Sequence, residues 1–78
     1  MLSYDECKEK AVSKAEEYGA VIDKAYSIGD AYVFDDSEHE CVGVLPLVVD
    51  PSTGNTEGIW NYINRNNMTM DDMVEREL

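Results

Sequence analysis

The residues of this chain whose types could do covalent or metal chemistry gather around His39, its one histidine, which stands between Glu38 and Glu40 and two residues before Cys41. A thiol and an imidazole can form a nucleophile–base pair, and an imidazole among carboxylates can take a divalent cation. Neither use suits this spacing. A nucleophile and its base normally converge from different elements of a fold, whereas His39 and Cys41 share one expected loop-to-strand junction. Asp35, Asp36, Glu38, His39 and Glu40 follow no standard cation loop, and Asp50-Pro51-Ser52-Thr53-Gly54 lacks the ligand order of an EF-hand. The chain has no phosphate-binding glycine loop, no zinc-type cysteine pair and no basic-aromatic interleaving. The expectation is a non-enzymatic protein with no catalytic residue, no metal and no cofactor, and with His39 solvated in an acidic loop.

The stronger signal is electrostatic. Between Lys24 and Arg65 there is no Lys or Arg, yet Asp30, Asp35, Asp36, Glu38, Glu40, Asp50 and Glu57 all fall there. The formal net charge is −11, with 6 basic residues in 78. Phosphate backbones are gripped by Lys and Arg, so direct nucleic-acid binding is not expected, nor is adhesion to an anionic membrane. A field of one sign attracts the other, which points to a basic protein partner. The same carboxylates can imitate phosphates, so a DNA-mimic inhibitor of a DNA-binding protein is the alternative. The blandest use of the acids is a solvated face that keeps the chain soluble.

The elements that would carry these acids are legible in order. Ser3-Tyr4-Asp5-Glu6 is a capping box, in which Ser3 accepts from the third helical amide and Glu6 reaches back to the cap amide. Cys7, Ala11, Ala15 and Tyr18 follow helical spacing, and Gly19 suits the left-handed residue just past the end. A helix over Tyr4 to Tyr18 follows, with a narrow face of small residues. Val21 to Ser27 and Ala31 to Phe34 read as strands around a Gly29-Asp30 turn. Cys41 to Val49 reads as a third strand, with Gly43 and Pro46 marking a bulge or an edge, because proline donates nothing to a ladder. Asp50 to Gly54 is a turn, and Asn55 to Gly58 can form a short fourth strand. Ile59 to Asn64 reads as a short helix or turn. Thr69 can cap a last helix with Asp71 and Asp72 in its first turn and an apolar stripe of Met70, Met73, Val74 and Leu78.

The length predicts one domain over residues 1–78, with a modest core. Its fold class is α+β, an N-terminal helix packed on a three- to four-stranded antiparallel sheet with a short C-terminal helix. No basic-plus-apolar leader pattern opens the chain, and no apolar run approaches the roughly 20 residues of a membrane span. With two cysteines, Cys7 and Cys41, this reads as a cytoplasmic protein with reduced thiols.

The order of elements, the aromatic strand Ala31-Tyr32-Val33-Phe34 and the stretch Gly43-Val44-Leu45-Pro46-Leu47-Val48-Val49-Asp50-Pro51-Ser52-Thr53-Gly54 resemble a bacterial pattern. It is that of the small immunity proteins of the YrhB-like type (immunity family 35). The resemblance covers about Ser3 to Gly58, with Trp60 to Leu78 outside it. It implies a cystatin-like or PepSY-like packing of helix on sheet, and neutralisation of a toxin in the producing cell.

The expected function is therefore an immunity protein that covers the cationic site of a basic toxin, such as a nuclease. Asp30, Asp35, Asp36, Glu38, Glu40, Asp50 and Glu57 would steer the partner, and Tyr32, Trp60 and Tyr62 are the candidates for apolar contact. Trp60 is expected first in the core, since a chain this small needs its large apolar side chains. A small structural or regulatory subunit, docking through a methionine-rich C-terminal helix, is a further alternative.

Overall fold

The computed structural model describes residues 1–38 and 45–77. The expected contributions of His39, Glu40, Cys41 and Gly43 fall outside these residues, as does Leu78.

The chain opens with α1, Tyr4–Glu16, and both bonds of the capping box are made. The Glu6 N–H donates to Ser3 Oγ at 3.2 Å, and the Ser3 N–H donates to Glu6 Oε1 at 3.0 Å. The far end closes on Gly19, whose φ is 73°. The Ala20 N–H returns to the Ala15 carbonyl at 2.9 Å and the Gly19 N–H to that of Glu16 at 3.1 Å, which together form a Schellman motif. Tyr18 lies beyond the regular helix and is exposed, so the buried stripe is Cys7, Ala11 and Ala15. Three small side chains in a row let the helix axis come close to the sheet.

Five strands follow: β1 Lys24–Ile28, β2 Ala31–Asp35, β3 Leu47–Val49, β4 Thr56–Gly58 and β5 Val74–Arg76. They make one antiparallel sheet in the order β4-β3-β2-β1-β5. The sheet is larger than the three or four strands expected. The first strand begins three residues later than its apolar pattern suggests, because the Val21 and Asp23 N–H groups are taken by Asp36 Oδ2 and the Asp35 carbonyl. Within the β1–β2 hairpin Ile28 faces Ala31, leaving Gly29 and Asp30 as a two-residue turn. Gly29 has φ 55°, the positive value that the first central position of a type II′ turn demands. Pro46 precedes β3 instead of interrupting it, and β3 is an interior strand, since proline's missing donor lies just outside the ladder.

Alternation along the strands gives the sheet two apolar faces. Ala25, Phe34, Leu47 and Val49 meet Cys7, Ala11 and Ala15 of α1 on one side. Ile28, Ala31, Val33 and Val48 meet Ile59, Tyr62 and Ile63 on the other. The latter three belong to α2, Ile59–Arg65, close to the short helix expected there. Phe34 is fully buried at the centre, and burial of such a side chain contributes about 1.5–3 kcal/mol. The chain thus leaves the β4 edge, crosses the second face through α2, and returns beside β1.

The last segment corrects the sequence reading. Thr69 does open a capping box, in which Asp72 Oδ2 reaches back to accept the Thr69 N–H at 2.9 Å, but the helix is one 3-10 turn, Met70–Asp72. Val74, Glu75 and Arg76 then pair with Ser27, Tyr26 and Ala25 as β5. The backbone demand of the β1 edge overrides the helical spacing of Met70, Met73 and Val74. A subunit docking through a C-terminal helix loses its structural basis with that helix. No helix among the described residues is long and apolar enough to cross a membrane.

Candidate acidic surface

The register divides the acids between two ends of the sheet, except Glu57, which lies mid-strand in β4 opposite Val48. Asp30 precedes β2 and Asp35 closes it, so the whole length of the strand separates them. Asp50 follows β3 and so lies at the Asp30 end. Asp36 and Glu38 follow Asp35 at the opposite end.

At the Asp35 end the carboxylates build the corner between β2 and the segment entering β1. Asp35 Oδ1 accepts the Asp36 N–H at 2.9 Å, and Asp36 Oδ1 accepts the Glu38 N–H at 2.9 Å. Asp36 Oδ2 accepts from Val21 at 2.9 Å. Asp23 accepts twice from Ser37, at 2.9 Å from the backbone and 2.6 Å from the hydroxyl. These bonds to Ser37 hold the Asp23 carboxyl below its ordinary range. Asp35 moves the other way: burial pushes its carboxyl up, the Asp36 N–H opposes this, and the Asp23 and Asp36 charges add to the rise. Lys24 faces Asp35 across the hairpin. Glu38 is exposed, while Asp35 and Asp36 are half-buried.

At the other end Asp30 is exposed on its turn. Asp50 caps its own turn, Oδ1 accepting the Ser52 N–H at 2.9 Å, and its carbonyl accepts the Gly54 N–H at 2.7 Å. Glu57 is engaged: Arg65 Nη1 lies 2.7 Å from its Oε2, and its Oε1 is buried without a hydrogen-bond partner. Glu57 is therefore compensated in space although no cation stands near it in sequence, because α2 carries Arg65 back to it. Tyr62, expected as an apolar contact, is 7% exposed and belongs to the core. Its hydroxyl donates to the Ile28 carbonyl at 3.4 Å. Burial raises this phenol above its ordinary value, and the Asp50 and Asp30 charges push the same way.

The other two aromatic candidates also differ from expectation. Trp60 is 55% exposed and outside the core, because Ile59, Tyr62 and Ile63 already fill the inward face of the short α2. Tyr32 is half-buried, edge-to-face with Tyr4 at 5.1 Å. Above both rings lies the Arg76 guanidinium, 4.5 Å from the Tyr4 centroid and 4.9 Å from that of Tyr32.

Sequence reasoning missed Asp23, Ser37 and Arg76. Asp23 stood inside an expected strand, and its pairing with Ser37 spans 14 residues, beyond any local pattern. Arg76 meets Tyr4 across nearly the whole chain, and no spacing rule reaches that far. The place of Tyr4 at the start of α1 was legible, but its ring contacts were not.

The six basic side chains are all described. Lys8, Lys10 and Lys14 stand on α1, Lys24 opens β1, and both arginines, though exposed, are engaged with neighbouring side chains, Arg65 with Glu57 and Arg76 with Tyr4 and Tyr32. Among the described residues no three His, Cys, Asp or Glu side chains are grouped so as to hold a metal ion. Cys7 is fully buried, and burial pushes its thiol up, away from the nucleophilic thiolate. An open groove of about 560 Å³ runs between α1 and the β3–β4 turn, with Glu6, Lys10, Ser13, Gly54 and Thr56 in its walls. It carries mixed charges from exposed helix rows. No protein-family model, curated protein or solved structure matches the chain, so the reading of this surface rests on its own residues.

Proposed function

We propose that this is a non-enzymatic acidic binding protein whose loops cover a cationic surface of a basic protein, as an immunity protein covers the active site of a toxin. One observation carries the reading. The chain has a net charge of −11, and outside α1 its only basic side chains are Lys24, Arg65 and Arg76, the last two held by the fold. What remains at the ends of the sheet is carboxylate, with Lys24 as the one further exposed cation among the described residues there, beside Asp35. Such a field raises the on-rate for a cationic partner and makes the encounter salt-dependent. The resemblance over Ser3 to Gly58 supports the same class, and we read α1 with β1 to β4 as the cystatin-like unit it implies. The DNA-mimic alternative asks for carboxylates in a row along one face. Acids parted between opposite ends of the sheet favour the protein partner.

The test is capture of binding proteins from the source cell's lysate at low and then high salt, followed by affinity measurement on the purified partner. Asp30 and Glu38 are the acids to reverse, because both are exposed. Asp30→Lys with Glu38→Lys is expected to weaken binding at low salt and to flatten its salt dependence, with the fold unchanged by circular dichroism. A basic partner whose affinity ignores both substitutions and salt overturns the proposal.

A further inference from the structure

The most exposed strand is β5. It is three residues long, all exposed, and it pairs with Ala25 to Ser27 of β1. Its side-chain attachment converges on Arg76, which lies over the Tyr4 and Tyr32 rings and donates from Nη1 to Ser27 Oγ at 3.0 Å. A further bond runs from the Tyr4 hydroxyl to the Glu77 carbonyl at 3.1 Å. The receiving groups owe nothing to β5. Tyr4 stands on α1, Tyr32 on β2 and Ser27 on β1, and the Tyr4 ring also rests 5.7 Å from that of Phe34, which is fully buried. With β5 lifted away, an aromatic pair with a hydroxyl beside it remains in place. It flanks a sheet edge whose N–H and C=O groups need a partner.

We propose that β5 is a displaceable strap, and that the β1 edge with Tyr4, Tyr32 and Ser27 accepts an extended arginine-bearing segment of a partner protein in its stead. Strand addition of this kind takes affinity from main-chain bonds and specificity from alternate side chains. The strap itself displays the chemistry that fits. A guanidinium is planar, stacks on aromatic faces and donates in its plane, whereas an ammonium offers no such plane. Displacement is favourable for a longer segment, because β1 has five residues, Lys24–Ile28, and β5 covers three of them. Short exposed segments open at the low end of a protein's range of local free energies. The inference does not depend on the acidic-surface reading, although an arginine-bearing segment suits a chain of this charge.

Two measurements decide it. Native-state hydrogen exchange on the unaltered chain is expected to show the amides of residues 74–76 exchanging at least tenfold faster than those shared by β2 and β3. Equal protection for both sets would make β5 part of one cooperative unit and overturn the strap. The full chain carrying Arg76→Ala is then titrated with a synthetic peptide of residues 73–77, and with the same peptide bearing alanine at position 76. The Tyr26 and Ser27 amide resonances are expected to shift with the arginine peptide and to respond at least fivefold more weakly to the alanine one. No shift, equal shifts, or a chain that unfolds on Arg76→Ala each overturns the proposal, since a strap can be lost without the fold.

Discussion

Asp23 and Asp35 stand at the same corner, one turned into a stronger acid and the other into a weaker one, and their contributions to stability have opposite signs. Asp23 is held charged by Ser37, so its contribution is present above the ordinary carboxylate range and is lost as pH falls through its lowered value. Ser37→Ala is expected to lower the urea midpoint at neutral pH, with the gap to wild type closing in acid. Asp35 protonates more readily folded than unfolded, so folding is favoured as pH falls and opposed once the group is charged. Asp35→Asn keeps an oxygen for the Asp36 N–H and removes the half-buried charge. It is expected to raise the urea midpoint at neutral pH, and its advantage should vanish in acid, where wild-type Asp35 is neutral as well. Glu57 shows a third situation. Its side chain is only 19% exposed and has Arg65 as its counter-charge. Arg65→Met leaves that carboxylate unpaired and should cost about 1–2 kcal/mol, the order of the penalty for an unsatisfied buried acceptor. Adding Glu57→Gln should recover part of that in a double-mutant cycle.

At the scale of elements, the turns and the centre of the sheet hold most of the fold's specificity. Gly29 has φ 55°, and a Cβ there would stand 3.0 Å from Met68 Cε and 3.3 Å from the Tyr62 hydroxyl. Gly54 has φ 77°, but its nearest neighbour would be the flexible Lys10 side chain at 3.4 Å. Gly54→Ala is expected to cost about 1 kcal/mol from backbone strain, and Gly29→Ala about 1–2 kcal/mol, because the Met68 methyl and the Tyr62 hydroxyl must also shift slightly. Equilibrium urea unfolding measures both. Phe34→Ala at the centre should cost about 3–5 kcal/mol, enough to leave much of so small a chain unfolded. Trp60→Ala on the outer side of α2 should fall within about 0.5 kcal/mol of wild type.

For the whole molecule the charge of −11 acts on folding and on association at once. The compact state crowds like charges that the unfolded chain spreads apart, and salt relieves this by screening beyond about 8 Å at physiological ionic strength. The melting temperature is expected to rise as sodium chloride is added, while affinity for a basic partner falls over the same range. Thermal unfolding and binding measured in one salt series check the pair together. A melting temperature indifferent to salt would mean that the acids are already compensated, as Glu57 is by Arg65.

The sequence by itself determined what local physics determines. The capping box at Ser3, the left-handed close of α1 at Gly19, the Gly29-Asp30 turn and the Asp50 to Gly54 turn each depend on neighbours a few residues apart. So does the two-residue alternation that gave the strands and the α+β class. Tertiary structure decided whatever depends on who lies across the gap. Pairing with β1 turned a capped helix after Thr69 into β5, because an open sheet edge binds backbone more strongly than a short exposed helix holds itself. Placement of α2 across the second face put Tyr62 in the core and Trp60 in water, two residues of similar apolar weight that sequence cannot tell apart. The same crossing brought Arg65 to Glu57, one acid of an interval that looks wholly uncompensated along the chain. Charge was countable from residue types, but its geometry was set by strand register, a long-range property that alternation along one strand does not encode.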